Sequence, residues 1–255
     1  MRELGRTLRG LQRGERGLAA ILVGSYALAL FGLYLLKPAR DSVFLSTLSA
    51  EDLPLAFILT AVLAVPATVA YGRASRSWSL PVLLAVITVV VAIGLVGWWW
   101  LLGVRSPVVP YLFYAWSGVV GGVITSQFWL LGNTLCDTRQ AKRLFPMLSL
   151  GGILGAVLGG VATGQLAAPL GLAARDLVLV AAGVWTLALG IAALALRGER
   201  AAAMPRARPE REHARPVGDL VADVLGSRHL LLIIGIVAAG MLVTTFADYA
   251  FKTAA

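Results

Sequence analysis

The chain has 255 residues, of which 58% are hydrophobic and 14% charged, and its formal net charge is +9. That balance is too apolar for a globular domain whose surface faces water, so lipid is the predicted solvent for much of the chain. The basic residues sit in short clusters between apolar stretches, where they read as topological signals, and nucleic-acid binding is rejected. The single Cys136 excludes an intramolecular disulfide. The two histidines, His213 and His229, lie far from it, so no metal constellation assembles and no cofactor is indicated.

The segment Met1 to Gly17 carries five arginines ahead of the first apolar run. That run is too long for a signal peptide and lacks a small-residue cleavage site, and Glu3 and Glu15 argue against a transit peptide. Residues 1–17 therefore read as a basic cytosolic arm. A bilayer core about 30 Å thick takes roughly 20 apolar residues in helical form. Seven stretches qualify: Leu18 to Leu36 or beyond, Leu53 to Tyr71, Leu80 to Leu102, Val108 to Cys136, Leu144 to Ala168, Asp176 to Leu196, and Leu230 to the end. Helix is the only open-chain solution in hydrocarbon, where unpaired backbone groups find no water. The expected fold is an all-α polytopic membrane bundle. Residues 18–196 form a six-span bundle, 197–228 a cytosolic linker rich in Arg, Pro and Ala, and 229–255 the first span of a second bundle. No polar tail follows Lys252, so the chain is expected to be the front of a longer protein whose carboxy-terminal half completes that bundle.

Orientation follows from the loops. With the amino terminus inside, the inner segments hold Arg2, Arg6, Arg9, Arg13 and Arg16, then Arg73 and Arg76, then Arg139, Lys142 and Arg143, then seven arginines from Arg197 to Arg228. The outer connections hold Arg105 and Arg175, with Glu51, Asp52 and Asp176 beside them, as the positive-inside rule requires. Trp98, Trp99 and Trp100 close the third span as an outer aromatic belt. The expected location is the cell (inner) membrane, multi-pass.

Charges near the spans mark the candidate site. After Leu36 the chain reads Lys37-Pro38-Ala39-Arg40-Asp41-Ser42-Val43-Phe44. Two readings stay open. If the helix continues to about Leu48, Lys37, Arg40, Asp41 and Phe44 share one face, Lys37 pairs with Asp41, and the cations look into a cavity. If Pro38 ends the helix, the same residues form an outer loop. Asp248 and Lys252, four apart in the seventh span, make a second acid–base pair, as pseudo-symmetric halves would show. In the fourth span Gln127, Trp129 and Asn133 are the polar or amphipathic positions, candidates for a ligand or for bonds between helices. Arg139, Lys142 and Arg143 form either a solvated loop or an electropositive vestibule. In the fifth span Gly151, Gly155 and Gly159 repeat every four residues, with Gly152, Gly160 and Gly164 at multiples of four, a pattern that lets helix backbones approach closely.

Gln127-Phe128-Trp129-Leu130-Leu131-Gly132-Asn133, followed by Gln140-Ala141-Lys142-Arg143-Leu144-Phe145-Pro146 and the glycine-rich helix, resembles the fourth-to-fifth helix region of the ATP/ADP translocase family. Lys37-Pro38-Ala39-Arg40-Asp41 and Asp248-Tyr249-Ala250-Phe251-Lys252 are similar to patterns in its bacterial members. The resemblance implies a major-facilitator-like fold of twelve helices and exchange of ATP for ADP or related nucleotides, with Lys37 and Arg40 clamping phosphate oxygens. Substrate contacts from Asp41, Gln127, Asn133, Asp248 and Lys252 belong to the same expectation. Nucleotide exchangers of that family carry an acid in the fourth span near the level of Ser117, whereas this chain has no Asp or Glu between Val108 and Cys136. Substrate and stoichiometry therefore stay open.

The expected partners are the lipid bilayer, a nucleotide or other organic anion, and the missing carboxy-terminal half. An alternative is a non-transporting membrane module that anchors or regulates further domains. An intramembrane enzyme is not expected, because no Cys/His pair, metal set or paired Asp motif occurs in any span.

Overall fold

A computed structural model describes residues 13–136, 138–167, 171, 173–197 and 226–254. Among them there is no strand. Seven α-helices account for almost all of the described residues: α1 (Arg13–Thr47), α2 (Leu53–Ser77), α3 (Leu80–Leu101), α4 (Val108–Leu135), α5 (Thr138–Ala167), α6 (Asp176–Arg197) and α7 (Arg228–Ala254). Each is long and apolar enough to cross a bilayer. The chain is a multi-pass membrane protein of the all-α class.

The chain separates into two units, Met1–Met204 and Pro205–Ala255. The first holds α1 to α6. The second holds α7, and residues 198–225, most of the expected linker, lie outside the described residues, as do residues 1–12 of the basic arm. Two boundaries shift from expectation. Helix α1 begins at Arg13, so the end of the arm is helical, and α5 begins at Thr138, which puts Lys142 and Arg143 on a helix rather than in a loop. Charged residues prolong a helix readily where its end leaves the hydrocarbon.

Helix α1 settles the open question at Pro38. It runs 35 residues with Pro38 inside it, and Leu36 and Ala39 on either side of the proline are buried. A proline has no N–H to return to the carbonyl four residues back, here that of Tyr34. The Thr163 hydroxyl of α5 reaches that carbonyl oxygen in a long 3.5 Å contact, while also donating to Gly159 O at 2.9 Å. A neighbouring Thr that covers a proline-freed carbonyl is how membrane helices keep such a residue.

The bundle is organised around α1, which packs against α4, α5 and α6. Along α5, Gly151, Gly155 and Gly159 face Val23, Ala27 and Phe31 of α1 in rising order, so these two helices run parallel. Side chains there are excluded by the backbone itself: a Cβ on Gly155 would collide with the Ala27 carbonyl, and one on Gly159 with that of Phe31. The α4 partners run the other way. Tyr26 meets Phe128, Leu33 meets Gly121, and Arg40 meets Tyr114, which is antiparallel. Trp185 of α6 is fully buried and donates its indole N–H to Ala29 O at 2.8 Å, with Gly32 making room for the ring. Helix α3 lies on α6 and α4, and α2 lies on α4.

Burial runs opposite to that of a water-soluble bundle. Leu55, Ile58, Val62 and Val65 on α2, and Ile153, Leu154, Val157 and Leu158 on α5, are exposed, whereas Ser25, Arg40, Ser117 and Gln127 are buried. Apolar side chains outside with polar ones inside suit a lipid solvent. At one end of the bundle, here the Trp end, Asp52 accepts hydrogen bonds from the Ser49 N–H (3.0 Å) and hydroxyl (2.9 Å), turning the chain sharply from α1 into α2. The opposite end carries Arg73, Arg76, Lys142 and Arg143.

Candidate functional site

Because α1 continues beyond Pro38, Lys37 and Arg40 belong to a membrane-spanning helix. Lys37 stands ten residues before Thr47, about 15 Å from the helix end at 1.5 Å per residue. Opposite it, the middle of the 28-residue α4 presents Ser117, Gly118, Gly121, Gly122 and Thr125. Between the two helices lies a cavity of about 370 Å³, walled on the α1 side by Leu33, Tyr34, Leu36, Lys37 and Arg40. The glycines of α4 leave this space open: beside Gly122 no atom lies within reach of a Cβ.

The two cations differ in state. The Arg40 guanidinium is buried, its Nε donates to Asp41 Oδ1 at 2.9 Å, and Nη2 stands 2.7 Å from the same oxygen. Nη2 also donates to the Tyr114 hydroxyl at 3.1 Å, and Cζ lies 3.8 Å from the centre of the Tyr114 ring. Phe44 packs edge-on against Tyr111 and Tyr114 from the next turn. Arg40 is thus neutralised, hydrogen-bonded and stacked, the condition in which a guanidinium tolerates burial.

Lys37 is half-buried and lines the cavity, and among the described residues its ammonium has no hydrogen-bond or ion-pair partner. The expected Lys37–Asp41 pair is replaced by Arg40–Asp41. Lys37 and Asp41 have the helical spacing for a pair, but the longer guanidinium folds back over the next residue and puts two nitrogens on one carboxylate oxygen. The consequence is a positive charge at membrane depth without a partner among the described residues, which water or an anion in the cavity can balance.

Other sequence candidates fall elsewhere. Gln127 is fully buried on the core-facing stripe of α4, not on the cavity wall, where its Oε1 accepts from Tyr71 of α2 at 3.0 Å. Its Nε2 has no partner. Exchanging the two amide atoms only moves the deficit to the other end of the group. Asn133 is exposed near the arginine-rich end of α4, far along the helix from Lys37. Trp129 packs against Tyr26 and Phe145 as a filler between α1, α4 and α5. Lys142 and Arg143 are exposed on the first turns of α5, and the Arg139 side chain lies outside the described residues. In the second unit, Lys252 Nζ stands 2.6 Å from Asp248 Oδ2, the pair that the four-residue spacing predicts.

No family model, curated protein or solved structure matches the chain. The chemistry of the cavity therefore has to be read from its own walls. The neutral side chains of Tyr34, Ser117 and Thr125 and the glycines of α4 surround one ammonium as a cationic anchor, with the Ser117 and Thr125 hydroxyls donating to the Tyr114 and Gly121 carbonyls of α4, each at 2.9 Å. No group of three or more His, Cys, Asp or Glu that could hold a metal occurs among the described residues. Sequence reasoning missed Tyr114 and the Gly118, Gly121 and Gly122 wall. The glycines were visible as a cluster in α4, but nothing local tells which face of α4 meets Lys37.

Proposed function

We propose that this membrane protein carries an organic anion across the bilayer by alternating access, and that nucleotides of the ATP and ADP type are the first substrates to test. The observation that carries the reading is the unpaired Lys37 ammonium on the wall of a cavity about midway along α4. A cation kept only for structure is expected to look like Arg40, with its charge matched and its donors filled. Substrate sites of transporters lie near the bilayer midplane between helices, and an anion entering there completes the charge that the protein leaves open.

The nucleotide part of the proposal rests on the motifs around Lys37, Gln127 to Pro146 and Asp248 to Lys252, and so does the major-facilitator-like architecture. In this reading the amino terminus is cytosolic, the membrane is that of the cell, and Arg139, Lys142 and Arg143 gather anions at the cytosolic mouth. Asp248 and Lys252 serve the second bundle as Arg40 and Asp41 serve the first.

The test is uptake of labelled ATP into liposomes holding the full-length protein and ADP, followed by the same assay with phosphate and with organic carboxylates. Lys37→Ala is expected to lower uptake by about tenfold or more, the effect of losing one hydrogen bond to a charged group, while Lys37→Arg retains part of it. Absence of uptake for every anion, or undiminished uptake by Lys37→Ala, overturns the reading.

A further inference from the structure

At the Trp end, α3 finishes on Trp98-Trp99-Trp100 and turns through Gly103 and Val104, held by backbone bonds from Gly103 N to Trp100 O (3.1 Å) and Val104 N to Leu101 O (2.9 Å). The Trp99 indole donates to Asp176 Oδ1 at 3.1 Å, which ties this turn to the start of α6. Arg175 lies over Trp99 with Cζ 5.4 Å from the ring centre, its Nε 3.8 Å from the same Asp176 oxygen. A notch of about 320 Å³ opens between Trp99, Trp100, Gly103, Val104 and Arg175.

We infer that this notch binds the phosphodiester headgroup of an anionic phospholipid. The terminal nitrogens of Arg175 and the indole N–H of Trp100 have no hydrogen-bond acceptor among the described residues, so two donors of different geometry border one opening. Asp176 occupies the Nε side of the guanidinium and leaves the outer fork available, the arrangement suited to two phosphate oxygens. Gly103 forms the floor, where a Cβ would sit 3.2 Å from the Trp100 carbonyl oxygen and 3.4 Å from Arg175 Nη1. Trp100 and Val104 are exposed, 72% and 47%, at the end of a membrane span. Amphipathic indoles settle at headgroup depth, so the molecule next to this opening is a lipid, and its acyl chains lie along the apolar flank of α3. The notch is separate from the α1–α4 cavity and does not depend on transport.

The probes are phosphatidylglycerol, phosphatidylcholine of the same chains, and inorganic phosphate, added to the purified chain in neutral detergent. Retention is read by native mass spectrometry and stabilisation by melting temperature. Phosphatidylglycerol is expected to be retained and to raise the melting temperature above the phosphatidylcholine value. Arg175→Ala is expected to weaken that retention about fivefold, the worth of one cation near an anionic headgroup layer. Trp100→Phe, which removes the N–H and keeps an aromatic ring, shifts retention in the same direction, and Ser77→Ala, an uncharged site at the opposite end, leaves it unchanged. Equal retention of phosphatidylcholine, an equal melting shift from phosphate alone, or undiminished phosphatidylglycerol retention by both variants overturns the inference.

Discussion

Two glycine-bearing seams flank α1, and they serve opposite ends. On the α5 side, Gly151, Gly155 and Gly159 bring two backbones into contact, so the space a side chain needs is already filled by carbonyl groups of α1. On the α4 side, a Cβ on Gly121 would meet only the flexible end of the Leu33 side chain of α1, and beside Gly122 there is nothing, while Gly118 turns to Thr60 of α2. The first seam is closed by backbone and the second is open at Gly122, though both read in sequence as small residues on apolar helices. A glycine at a helix contact therefore says that something approaches closely or that something is left out, and only the neighbour's identity decides which.

Substitutions separate the two cases, and the largest effect belongs to the closed seam. Gly155→Ala pushes a methyl group into the Ala27 carbonyl and is expected to destabilise the bundle by about 3 kcal/mol, the upper range for overpacking because backbone has to move. Thermal melting in detergent reads this, and an unshifted melting temperature means that α1 and α5 are not in backbone contact. Arg40→Ala, which strips the buried guanidinium from Asp41 and Tyr114, is comparable at about 3 kcal/mol, the low end for breaking a buried pair because Asp41 is partly exposed. Lys37→Ala, by contrast, removes a charge with no partner and should not lower the melting temperature; a loss as large as that of Arg40→Ala would show Lys37 to be structural. Thr163→Val is smaller, about 0.6 kcal/mol, the average for a hydrogen bond between membrane helices. Gly122→Ala, in the open seam, is expected to stay within about 0.5 kcal/mol of the parent. A loss like that of Gly155→Ala would erase the contrast.

What could be read from the sequence follows the range of the forces involved. Seven spans were legible because hydrocarbon imposes helix on any apolar run of sufficient length, and the close approach at Gly151, Gly155 and Gly159 was legible from a four-residue repeat. The Asp248–Lys252 pair is local and was legible for the same reason. The passage through Pro38 was not. The local bias of a proline opposes it, and what overrides that bias is the burial of Leu35, Leu36, Ala39 and Phe44 together with a hydroxyl from Thr163, more than 120 residues along the chain. Separation in sequence, here 74 residues, also hid the partner of Arg40, because Tyr114 reaches it only once α1 and α4 lie antiparallel. Gln127 misled in the other direction: a polar residue in a span suggests a ligand, yet its neighbour is Tyr71 and its face is the bundle core.

Helix α1 is held unequally along its length. From Val23 to Phe31 it is locked to α5 by direct backbone contact, whereas at Pro38 one rung of its internal ladder is missing and the freed Tyr34 carbonyl leans on a single 3.5 Å contact. Flexing an ordinary helix at that level would strain a hydrogen bond, but here that bond was never formed. The segment bearing Lys37 and Arg40 thus meets the α5-locked part of α1 through a weakened rung and is steadied from the side instead, by Arg40 and Phe44 against Tyr114.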